Sequence, residues 1–204
     1  MPKKFSQRVE DLRRALAEEA ARIMGEHGVD DFGQAKRKAA ERLGVGDVAV
    51  LPRNVEIEAA LRERQRLFGG AAHGLSLQEQ RRAALEAMRL LDEFTPRLVG
   101  PVLSGTATRH SDISLHLFAD RSETVAIRLM EIGVPHSIHE RRVKMDAGRS
   151  LHYPALRFQS GDRTIEATVF PVDGIRQAPC SPVDGRPMRR ADVREVSALI
   201  AADA

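Results

Sequence analysis

The apolar residues of this 204-residue chain change their spacing near position 96, and that change limits the possible fold more than any other feature. Ahead of it, spacings of three and four recur. The rows are Phe5, Val9, Leu12, Leu16, Ala20, Ile23 and Met24; Phe32, Ala35, Ala39 and Leu43; Ile57, Leu61 and Leu67 or Phe68; and Leu77, Ala84, Leu85, Met88 and Leu91. Each row is the inward stripe of an amphipathic helix, because 3.6 residues per turn bring such positions onto one side. Behind position 96, RLVGPVLS, DISLHLF, VPHSIHERRVKM, ALRFQ and TIEATVF read as strands, with SETVAIRLMEIG as a helix between the second and third. Helices first and mixed elements afterwards predict an α/β (α+β) fold: a mixed β-sheet core preceded by a helical N-terminal subdomain.

Local signals set the boundaries. Gly28 and Gly44 stop the first two helices, Asp30 or Asp31 caps the second, and Asn54 caps the third after the connection GVGDVAVLPRN. GGAAHG, Gly69 to Gly74, offers neither a cap nor an apolar anchor, so the domain boundary is placed there. Residues 1–75 then form the helical subdomain and residues 76–204 the α/β domain. Ser76 with Glu79 makes a capping box that opens the fourth helix, which must end before Pro96. PVDG occurs twice, at Pro171–Gly174 and Pro182–Gly185, as two tight turns, and a last helix is predicted from about Arg190 to Ala201.

Composition removes several classes of function. The single cysteine, Cys180, excludes an internal disulfide and a cysteine-built zinc site, and the seven histidines show no metal-ligand spacing. No run of eighteen apolar residues is present and the first helix carries acids early, which leads to the expectation of a cytoplasmic protein with no membrane span. Basic residues number 32 against 29 acidic ones, a balance that permits a polyanionic partner without requiring one. Aromatics at 4% supply no stacking platform for single-stranded nucleic acid. Lys36, Arg37, Lys38 and Arg42 on the second helix are the candidate contact for RNA or a protein partner, although such a run is usually a solvated face.

The stretch with most chemistry is LVGPVLSGTATRHSDISLHLF, Leu98 to Phe118. A glycine lets a phosphate approach the backbone, and the neighbouring N–H groups and hydroxyls, here Ser104 and Thr106, can hold it. Alternation along the following strand aims Asp112, Ser114 and His116 to one side of the sheet. On the residues alone, Asp112 also fits a strand-opening turn and Glu166 the outward side of an edge strand.

With Gly105 and Thr106 after a strand and Asp112 opening the next, the segment resembles the nucleotidyltransferase superfamily of the DNA polymerase β type, whose mark is a Gly-Ser pair and then Asp-x-Asp. The resemblance covers roughly residues 76–173. It implies transfer of a nucleoside monophosphate from an NTP to an acceptor, with Asp112 and Glu166 as catalytic ligands of Mg²⁺. Ser104, Gly105, Thr106 and Ser114 would then meet the nucleotide, and Arg186 and Arg189, in the basic turn after the acidic strand, its phosphates. Ser114 stands where the second carboxylate is expected. That departure implies a degenerate member, and with it an alternative: a catalytically silent relative that binds nucleotide, RNA or a protein partner.

Overall fold

The computed structural model describes residues 2–46, 50–146 and 148–202; residues 47–49 of the connection between the second and third helices, and the side chains of residues 2–6 and Ala71, lie outside the described residues. The chain divides into two compact units, one of residues 1–73 with the short segments 108–110 and 182–184, the other of the remainder.

In the first unit α1 (Pro2–His27), α2 (Phe32–Leu43) and α3 (Asn54–Arg64) enclose a core of Leu16, Ala20, Ile23, Ala35, Ala39, Ile57 and Leu61. These are residues of the helical stripes, so the spacing alone placed them. Asp31 caps α2 by accepting from the Gln34 N–H at 2.6 Å. The cap of α3 differs from the expectation. Glu56 reaches back to the Arg53 N–H at 2.6 Å, and Asn54, inside the first turn, donates instead to the Pro182 carbonyl at 2.6 Å. A glutamate three residues into a helix can reach the residue ahead of it, and this one leaves Asn54 free for a distant acceptor.

After α3 comes a π-helical turn, Gln65–Gly69, and then α4 (Gly70–Leu90). GGAAHG is therefore helical from Gly70 onward and Ser76 lies inside α4, where it opens nothing. The break falls on Gly70 itself, whose φ of +50° is a conformation that suits glycine. Beyond that residue the alanines favour helix without needing a cap.

The second unit continues with β1 (Arg97–Val99), α5 (Gly100–Ser104), β2 (Ile113–Phe118), α6 (Ser122–Glu131), β3 (His136–Lys144), β4 (Ser150–Ser160), β5 (Arg163–Phe170) and α7 (Val193–Ala202). The sheet has the order β1-β2-β5-β4-β3, and β2 and β5 are its parallel pair. The fold is thus a mixed α/β (α+β) one. The predicted strand RLVGPVLS ends at Val99, because Pro101 carries no N–H for a ladder while its fixed φ suits a first helical turn. β4 begins at Ser150, well ahead of ALRFQ, and its first residues pair with β3.

Alternation sorts the sheet into two faces. Ile113, Leu115 and Leu117 of β2 and Ile165, Ala167 and Val169 of β5 share a core with Ala84, Met88 and Leu91 of α4, Val125 and Leu129 of α6 and Val196 of α7. Asp192 and Glu195 cap α7 reciprocally, each carboxylate accepting the other's N–H at 2.9 and 3.0 Å. The opposite face carries Ser114, His116 and Phe118 in register with Glu166, Thr168 and Phe170. Among the described residues, no helix is long and apolar enough to cross a membrane.

Candidate functional site

Cross-strand register brings the two acids singled out by sequence to one side. Ser114 is paired with Glu166, and Asp112 immediately precedes β2 with the same parity as Ser114, so both carboxylates belong to the polar face. Neither is alone there. Arg157 of β4, in register with Glu166, holds Asp112 at 2.9 Å. Glu166 is held by Arg141 of β3 at 3.0 Å and by the His139 ring nitrogen at 3.2 Å. Burial pushes the Asp112 carboxyl above the usual carboxylate range; Arg157 opposes that shift, Glu166 adds to it and Arg141 opposes it again. The five side chains therefore form one electrostatic cluster of two acids, two guanidiniums and an imidazole.

The turn at Ser104, Gly105 and Thr106 is built differently from the phosphate cradle expected of it. The N–H groups of Gly105, Thr106 and Ala107 all point at the Pro101 carbonyl, at 2.9, 3.0 and 3.1 Å, closing the end of α5. Those are the donors a phosphate would have needed. Thr106 is 4% exposed, and its hydroxyl lies 2.9 Å from that of Ser104. Arg81 of α4, itself buried, donates to the Val102 carbonyl in the same helical turn. The glycine that directly follows a strand is Gly100, with φ +73°, and a Cβ placed on it would lie 3.8 Å from that of Ser114. Its successor is Pro101, which has neither an N–H nor a hydroxyl to offer.

Arg186 and Arg189 are both exposed, and the residue of that turn which reaches the sheet is Arg190. Its guanidinium lies 5.0 and 5.3 Å from the ring centres of Phe118 and Phe170 and donates to the carbonyls of Gly174 and Ile175 at 2.9 and 3.2 Å. Its Nε donates to His116 Nδ1 at 3.1 Å. Burial, then the charge of Arg97, lowers the Arg190 pKa to about 10. His116 is thereby committed to Arg190 and is no companion for Asp112.

For Mg²⁺ the donor set is thin. The cation prefers six oxygen ligands and tolerates few protein carboxylates only when substrate phosphates and water complete the shell. Here both carboxylates already neutralise arginines, Ser114 is a hydroxyl, and among the described residues no group of three or more His, Cys, Asp or Glu is placed to hold a metal ion. The residues as arranged do not fit a two-metal centre. The basic residues of α2 are likewise partly engaged: Arg42 lies 3.5 Å from Glu19, and burial lowers the Lys36 pKa against the pull of Glu56.

Comparison of the chain with protein-family models, with curated proteins and with solved structures yields no match in any of the three. The residues paired with the two acids that sequence reasoning passed over are Arg141 and Arg157. Their one signal is parity, since charges at alternate positions of β3 and β4 face the same side as Glu166 once the register is known.

Proposed function

We propose that this chain is a nucleotidyltransferase-like protein that binds a nucleotide on the polar face of its sheet and does not carry out metal-dependent transfer. The observation that supports this reading is the pairing of each candidate metal ligand with a guanidinium, Asp112 with Arg157 and Glu166 with Arg141. In a metal-dependent site those carboxylates need to face a cation, and an arginine beside each competes for the same oxygens. Ser114 in place of a carboxylate and Pro101 in place of a hydroxyl residue point the same way. The arginines in turn suit phosphate oxygens, which they bind with a planar fork.

Calorimetry of the full chain with each NTP, in EDTA and again with Mg²⁺, tests the proposal. Binding in EDTA without pyrophosphate release in either condition is expected. Mg²⁺-dependent NTP turnover that disappears in Asp112→Ala would overturn it in favour of an active transferase.

A further inference from the structure

Arg97, Arg141, Arg157 and Arg190 are spread over the polar face and its margin, and two carboxylates, Asp112 and Glu166, answer them there. The arginines differ in how far they are committed. Arg190 is fixed by two carbonyls, His116 and two aromatic rings, and Arg97 donates to the Thr95 and Pro96 carbonyls of its own strand entry. Arg141 and Arg157 are 40% and 49% exposed, and the nearest approach of each to its more buried acid is from a terminal nitrogen, Nη1 to Glu166 and Nη2 to Asp112. A guanidinium has five N–H donors, and the exposed part of each side chain leaves donors facing solvent, within reach of an anion.

Ion pairs whose guanidinium is partly exposed are worth little in water, so an incoming anion can compete with the carboxylate for the exposed donors. The acids then keep the two side chains extended over the sheet in the ligand-free protein and make way when a stronger acceptor arrives. Two guanidiniums from neighbouring strands suit an anion with more than one charged centre.

We infer that Arg141 and Arg157 form a metal-independent binding site for the di- or triphosphate moiety of the ligand, with Glu166 and Asp112 as the internal anions it displaces. This inference rests on the nucleotide reading above and assigns the phosphates to the β3–β4 pair, away from the turn at Gly105.

The test titrates full-length protein in EDTA with ATP and, separately, with inorganic tripolyphosphate. Arg141→Gln and Arg157→Gln are each expected to weaken both probes about tenfold to a hundredfold, in line with charge-assisted contacts of ~1.5–3 kcal/mol. Asp112→Asn, which removes a competitor, is expected to tighten both several-fold, an effect that a merely structural ion pair has no means to produce. Circular dichroism checks that each variant is folded, and Arg157→Lys replaces Arg157→Gln if it is not, with the same direction expected because the fork is lost. ATP binding that is unchanged in Arg141→Gln, Arg157→Gln and Asp112→Asn overturns the inference and leaves the nucleotide reading standing. Tripolyphosphate binding that depends on the two arginines, with no binding of any nucleotide, supports the phosphate site and overturns the nucleotide reading. Failure of both probes to bind overturns both.

Discussion

Arg190 donates its Nε hydrogen to Nδ1 of His116 across 3.1 Å, and that bond requires the buried imidazole to be neutral at Nδ1. Burial first, then the charges of Arg190 and Arg141, holds the His116 pKa at about 3 against an ordinary 6.5. A histidine whose folded pKa is depressed disfavours protonation in the fold and accepts it when unfolded. Stability is therefore lost as pH falls from about 6.5 toward 3, at about 1.4 kcal/mol per pH unit. Asparagine at this position offers an oxygen where Nδ1 stood and does not titrate. Urea denaturation of the parent and of His116→Asn at pH 7 and pH 4.5 is expected to show the smaller drop in the variant, by roughly 2–3 kcal/mol. Equal drops would mean that other groups set the acid sensitivity.

The centre and the edge of the sheet should also differ sharply in tolerance, even along the one row of paired residues that joins Leu115 to Ile138 through Ala167 and Leu156. Leu115 is fully buried among residues of α4, α6 and β5, and truncating such a leucine removes its transfer energy and leaves a cavity. Leu115→Ala is expected to lower the unfolding free energy by about 3–5 kcal/mol. Ile138 of the edge strand β3 is 59% exposed, and Ile138→Ala should stay within about 0.5 kcal/mol. Chemical denaturation of both variants beside the parent checks the contrast.

Where sequence reading succeeded or failed follows from how local each determinant is. The stripes of α1 and α2 and the alternation of ISLHLF and TIEATVF are carried by neighbours in sequence, so the elements and their buried sides were legible. α5 was not, because GPVLS is too short to show a period and its apolar pair Val102 and Leu103 fits a helical turn as well as a strand. That single misreading moved the expected phosphate-binding glycine from the end of β1 to Gly105, where the N–H groups are spent on Pro101. Arg141 and Arg157 were illegible for a different reason. A charge on an edge or hairpin strand looks solvated until register, a long-range property, sets it beside a particular acid. Arg190 was hidden among three arginines of one turn, and only the tertiary path of residues 171–191 decides which of them meets the sheet.

The balance between Asp112 and Arg157 makes a final prediction with a definite sign. The Asp112 carboxyl is raised above its ordinary 3.8, chiefly by burial. A carboxyl so raised favours the fold in its protonated form, so its contribution is present below pH 3.8 and is lost as pH rises through the folded value. At neutral pH the ionised group costs more in lost hydration than Arg157 and Arg141 return, and an amide of the same shape avoids that cost. Asp112→Asn is thus expected to melt at or above the parent at pH 7 and level with it at pH 3. Arg157→Gln, which takes away the nearest compensating charge, is expected to melt below the parent at pH 7, with the gap closing at pH 3. Thermal melts of the three proteins at both pH values decide the matter. An Asp112→Asn variant that melts lower at pH 7 would show that the arginine pairing outweighs burial, and the acid would then be a structural anchor harder for a phosphate to displace.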